Sequence, residues 1–117
     1  MTAPSLHAAS AVELATLVRS RAVSSEELVR AALGRIHALD GGLHAFVEVF
    51  DDAIRAARAK DRVRRGPLPP FHGVPIGVKD LNVVRFRVTR FGSNGTLRLP
   101  LPFRSEEHTS ELQSRQY

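Results

Sequence analysis

Apolar residues recur at helical spacing in three stretches of this chain, and each stretch opens on a small polar or acidic residue. Ser10-Ala-Val-Glu13 has the S-x-x-E form of a capping box, with Ser10 as N-cap and Glu13 reaching back to it. Val12, Leu14, Ala15, Leu17 and Val18 then form the apolar side of a short helix to about Ser20. Ser24-Ser-Glu-Glu27 repeats the signal and predicts a stronger helix from about Ser25 to Leu39. Leu28, Ala31, Ala32, Leu33, Ile36 and Leu39 fall near helical spacing there, and Arg30 and Arg35 take the wetter side. Asp40-Gly41-Gly42 should stop it. A third helix should be capped by Asp51 or Asp52 and run to about Arg65, with Ala53, Ile54, Ala57 and Val63 inward. Arg55, Arg58, Lys60, Arg62 and Arg64 make its outer face.

Elsewhere the pattern is that of extended chain. Leu43 to Phe50, rich in Phe and Val, reads as a short strand or an extended segment. Gly66-Pro-Leu-Pro-Pro70 cannot continue a helix and must be a turn or an extended loop. Gly73-Val-Pro-Ile-Gly-Val78 is a compact apolar run and predicts a buried strand that delivers Lys79-Asp80 at its end. Its Pro75 has to sit early in the strand or at a bulge. From Leu81 to Phe103, Val83, Val84, Phe86, Val88 and Phe91 suggest extended structure, with a turn at Gly92-Ser-Asn-Gly95. Three helices preceding a strand make the beginning of an α/β or α+β fold, incomplete because the strand at 74–78 lacks neighbours.

Composition narrows the class. With 117 residues, 43% hydrophobic and 25% charged, the chain is globular and at most one domain. No apolar run approaches the roughly 18–20 residues that cross a bilayer, and Met1 to His7 has no signal-peptide form. Absence of cysteine removes disulfides, thiolate metal sites and thiol nucleophiles, and a cytoplasmic protein with no membrane partner fits all of this. The net charge of +5 comes from fifteen arginines and two lysines, Lys60 and Lys79.

The end of the chain departs from this pattern. Arg104 to Ser114 reads Arg-Ser-Glu-Glu-His-Thr-Ser-Glu-Leu-Gln-Ser, without helical or strand periodicity. Those residues agree codon for codon with the in-frame translation of a common sequencing adapter. Residues 1–103 are therefore expected to be the native part, with 104–117 a non-native tail and the natural frame continuing beyond residue 103. His108, Glu106, Glu107 and Glu111 carry no functional argument on this reading.

Lys79 is the residue on which chemistry would centre. Arginine stays protonated at any working pH, whereas a buried lysine can lose its proton and accept one from a hydroxyl. A general base for a serine nucleophile needs that property. By residue type alone, Lys79-Asp80 after a strand is better read as a solvated surface pair.

A wider correspondence singles the lysine out. Ser24-Ser-Glu-Glu-Leu, Arg35-Ile-His-Ala-Leu-Asp40, Leu43-His-Ala-Phe-Val47, Gly66-Pro-Leu and His72-Gly-Val-Pro-Ile-Gly-Val-Lys-Asp80 follow one another in order. Over about residues 9–81 the chain resembles the start of amidase signature enzymes, with the block ending in Lys79-Asp80 the most specific element. Thr89 and Gly92-Ser93 also stand at that family's distances beyond the lysine. The resemblance implies a Ser–cis-Ser–Lys triad on a mixed sheet flanked by helices, with Lys79 as its lysine. Lys79 would take a proton from a bridging serine, which activates a nucleophilic serine for attack on an amide carbonyl. An acyl-enzyme forms, ammonia or an amine leaves, and water or another acceptor completes the transfer, with no cofactor. Backbone N–H groups of a glycine-rich loop would hold the oxyanion. Gly73 and Gly77 would let the backbone pack closely around the lysine.

Two positions depart from the family: the glycine seven residues after the lysine is Phe86, and the second threonine of a Thr-Thr pair is Arg90. The bridging and nucleophilic serines belong to a Gly-Ser-rich stretch further along than this chain reaches, so the chain as it stands should be inactive. Ser93 lies at the wrong distance from Lys79 and reads as a turn serine. His7, His37, His44 and His72 form no ligand pair, which speaks against a metal, and His72 reads as a loop or strand-edge residue. The resemblance implies a small-molecule amide as substrate, or a partner subunit if the enzyme is an amidotransferase. The rival class is a small basic nucleic-acid-binding module, suggested by Arg55 to Arg65 and Arg85-Phe-Arg-Val-Thr-Arg-Phe91. No RNP, KH or helix-turn-helix pattern accompanies those segments.

Overall fold

The computed structural model describes residues 5–95, 100 and 102. Three helices carry the regular structure: α1 (Ala11–Arg19), α2 (Ser25–Leu43) and α3 (Ala53–Asp61). Both capping boxes form. The Ser10 N–H donates to Glu13 Oε2 at 2.6 Å and the Glu13 N–H to Ser10 Oγ at 3.3 Å. In α2 the Ser24 N–H donates to Glu27 Oε2 at 2.7 Å and the Glu27 N–H to Ser24 Oγ at 3.0 Å.

α2 is also capped from outside. Asp61, the last residue of α3, accepts the Ser25 N–H at 2.7 Å through Oδ1 and the Glu26 N–H at 3.0 Å through Oδ2. Together with the capping box, this satisfies all four N–H groups that a helix start leaves without an intrahelical partner. Arg58 of α3 adds a bidentate pair to Glu26, at 2.9 and 3.0 Å, and Arg30 joins from one turn along α2. These guanidiniums, Arg58 first and Arg30 second, lower the Glu26 carboxyl to about 2.

The second helix does not end at the glycines. Gly41 and Gly42 lie inside α2, which stops just beyond them at His44, a residue in the left-handed region at φ 51°. The carboxylate of Asp40 accepts the N–H groups of Ala45 (2.6 Å) and Phe46 (3.3 Å) and secures this exit. Glycine costs about 1 kcal/mol in a helix but does not forbid it. α3 is shorter than its pattern, ending at Asp61 where that side chain turns to cap α2.

The expected α/β architecture is corrected. Among the described residues there is no strand, either at 43–50 or at 74–78. A strand exists only through a neighbour that takes up its N–H and C=O groups, and no described segment pairs with either run. The 74–78 run is not buried either: Ile76 is 57% and Val78 37% exposed. Among the described residues the apolar core is small and helical, made of Ala15, Leu28, Val29 and Ala57, while Val12, Leu39 and Val63 stay exposed. The chain divides into two units, Met1–Pro75 and Ile76–Tyr117. The expected tail, 104–117, lies outside the described residues, as does Phe103. No helix among the described residues is long and apolar enough to cross a membrane.

Candidate functional site

In the first unit, the segment leading toward the lysine is tied to the helices. His72 is buried in a turn, with Nε2 2.9 Å from the Lys60 carbonyl oxygen at the end of α3. The Arg19 guanidinium donates to the Pro70 carbonyl at 3.1 Å, and that of Arg21 to the Val63 carbonyl at 3.2 Å. Ser25, only 1% exposed, donates its hydroxyl to the Gly73 carbonyl at 2.6 Å. Gly73 has φ +79°, and a Cβ there would stand 3.0 Å from Ser25 Cβ and 3.1 Å from Val18 Cγ1. Glycine is therefore required at 73 by both conformation and space, against α1 and α2 and not around the lysine. Gly77 has nothing within 4 Å of a Cβ, so its expected close-packing role is not observed.

In the second unit, Lys79 ends the non-helical run and is exposed. The residues after it close into a loop held from Asp80. The Arg90 N–H donates to Asp80 Oδ1 at 2.8 Å and the Gly92 N–H to Oδ2 at 3.0 Å. The Asn82 N–H donates to the Lys79 carbonyl at 3.0 Å, and buried Thr89 donates its hydroxyl to the Asn82 carbonyl at 3.4 Å. The Arg90 N–H first, then that of Gly92, holds the Asp80 carboxyl below its ordinary range. The guanidinium charge of Arg90 and the Phe91 N–H add smaller effects, and partial desolvation opposes them.

The family's departures become legible in this loop. Phe86, standing where the resemblance has glycine, has φ 61°, in the left-handed region that favours glycine. Its ring is stacked by Arg85, with Cζ 4.8 Å from the centroid. Arg90 occupies the second threonine position and contributes its backbone N–H to Asp80, a contact indifferent to side-chain type. Ser93 accepts the Gly95 N–H at 3.0 Å, the role of a turn serine. Asp80 and Thr89 were legible as motif residues; that they close one loop was not, because nothing in the spacing states which amide a carboxylate accepts. Among the described residues no group of three or more His, Asp or Glu side chains could hold a metal ion.

These features define a helical segment followed by a lysine-bearing loop, and comparison with known proteins gives them a class. The amidase family model matches residues 27–106. The chain belongs to the amidase family. It is 48% identical over 86 residues to a subunit of the glutamyl-tRNA(Gln) amidotransferase of Acidothermus cellulolyticus, 71% of this chain and 17% of that protein. A Synechocystis protein provisionally named an amidase is 42% identical over 89 residues, 71% of this chain and 18% of the relative. The corresponding glutamyl-tRNA(Gln) amidotransferase subunit of Geobacter sulfurreducens is 43% identical over 83 residues, 69% of this chain and 17% of that protein. The chain thus spans 17–18% of the length of these relatives. No solved structure matches.

Proposed function

We propose that this chain is the lysine-bearing N-terminal part of an enzyme that cleaves non-peptide C–N amide bonds through a Ser–cis-Ser–Lys triad. The observation that carries the reading is Lys79, at the end of the Gly73–Val78 run within the amidase match, followed by a loop tied down from Asp80. Lys79 acts as the base: it takes the proton of a bridging serine, which in turn deprotonates the nucleophilic serine. That serine adds to the amide carbonyl, the C–N bond breaks, and ammonia or an amine leaves with a proton returned through the same relay. Water, or an acceptor in an amidotransferase, then resolves the acyl-enzyme.

Burial disfavours the charged form of a lysine. Lys79 is exposed here, so the covering that makes it a base has to come from the rest of the enzyme. The two serines lie there as well, and the 117-residue chain alone turns over no amide. The names of the relatives support two forms of this reading, hydrolysis of a small carboxamide and transamidation with a partner subunit. The nucleic-acid module is not adopted: Arg58 of its basic face is paired with Glu26, and Arg85 is stacked on Phe86.

The test begins with the source DNA, sequenced through codon 103 and onward, where the frame should run into a Gly-Ser-rich stretch with a second serine upstream. In the enzyme from that frame, Lys79→Ala should lower kcat for carboxamide hydrolysis by about 10²- to 10⁴-fold. Wild-type turnover by the variant sinks the assignment of the lysine.

A further inference from the structure

We propose that Asp80 is the positioning residue of Lys79, its carboxylate fixing the direction of the lysine by closing residues 80–92 into a loop. The inference rests on the reading of Lys79 as the base. Both carboxylate oxygens are engaged by backbone amides two residues apart, Arg90 at 2.8 Å and Gly92 at 3.0 Å. The lysine's own carbonyl is bound by the Asn82 N–H at 3.0 Å, and the Asn82 carbonyl by the Thr89 hydroxyl at 3.4 Å. The peptide that follows Lys79 is therefore anchored at its carbonyl and, one residue on, through a side chain. Hydrogen bonds to a charged acceptor are the strong ones, and a bidentate acceptor fixes orientation as well as distance.

Asp80 stands in the turn that the Asn82 N–H closes on the Lys79 carbonyl. Asp80 is half-buried toward 90–92, while Lys79 is exposed. With both oxygens turned to the amides of Arg90 and Gly92, the carboxylate is committed to closing the loop. Asn at 80 keeps the shape and one acceptor oxygen but replaces the other with a donor, so the bond at Gly92 or at Arg90 has to break.

Two measurements separate this proposal from the reading beneath it. In the 117-residue chain, the Arg90 and Gly92 amides are expected to exchange about tenfold faster in Asp80→Asn than in wild type, with the α2 amides unchanged. Equal rates at 90 and 92 overturn the clamp; loss of protection throughout α2 overturns a role confined to the lysine's loop. In the enzyme from the complete frame, the nucleophilic serine is labelled with a fluorophosphonate, which needs no known substrate. Asp80→Asn should lower the maximal labelling rate by about 10- to 100-fold with the half-saturating concentration within about twofold, and Asp80→Glu should recover part of the rate. A wild-type maximal rate in Asp80→Asn, alongside a silent Lys79→Ala, overturns the positioning role and leaves the base assignment standing. Absence of labelling in the wild type refutes the triad, while the exchange result still decides the clamp.

Discussion

Phe86 holds a φ of 61° with its side chain exposed, at a position where the resemblance has glycine. An L-residue in the left-handed region is strained by about 1–2 kcal/mol, and the exposed Arg85 stack offsets only about 0.5–1 kcal/mol of that. Replacing Phe86 by Ala removes the stack and keeps the strain; replacing it by Gly removes both. Gly should therefore outrank Ala at 86 by about 1 kcal/mol, the reverse of the order at an ordinary φ. The measurement is hydrogen exchange at Arg90 and Gly92, where the Gly variant should protect about fivefold better. Equal protection would show that the turn at 86 is not fixed. Neither the phenylalanine nor its neighbours announce this conformation, since a positive φ at a bulky residue has no sequence signature of its own.

At the scale of elements, the starts of α1 and α2 were written locally, while the cap expected at α3 is not made by the Asp52 side chain, and the ends of α2 and α3 were not written locally. Ser10 with Glu13 and Ser24 with Glu27 cap as their spacing requires, because a capping box involves only residues three apart. Asp61, the last residue of α3, caps α2 from 35 and 36 residues away. Gly73 is the second long-range tie, with Ser25 and Val18 against its missing side chain. Gly73→Ala should cost about 1–3 kcal/mol through crowding, with further strain from φ +79°, whereas Gly77→Ala should change stability by less than about 0.5 kcal/mol. Amide exchange at the start of α2 reads both variants. Equal effects would mean that Gly73 does not approach α2 as closely as its 3.0 Å contact states.

For the whole molecule, the balance of buried and exposed apolar groups is unfavourable. Among the described residues, four apolar ones, two of them alanine, are buried, while Leu39, Leu43, Phe46, Val47, Ile76, Val78 and Leu81 are exposed. The side chains that would contribute most to a core are thus left in water, and a small core supports little stability. The 117-residue chain should therefore melt over a broad range of temperature by far-UV circular dichroism, without a cooperative step. A sharp transition would show that the segment is a self-sufficient domain.

The boundary between what residues state locally and what the folded chain settles runs along contact distance. The capping boxes of α1 and α2, the three helices of the described residues and the motif that carries Lys79 all depend on neighbours a few positions apart, so composition and spacing suffice. The strands at 43–50 and 74–78 were expected from apolar, β-branched and aromatic content, but a strand is a property of two segments, and here no second one is paired. Burial of the 74–78 run was expected for the same reason, and Ile76 and Val78 are exposed. The cap from Asp61, the glycine against Ser25 and the carboxylate of Asp80 on the 90–92 amides join distant or unmarked partners. Only tertiary structure decides these, because each hydrogen-bonding group accepts whichever partner the folded backbone brings within reach.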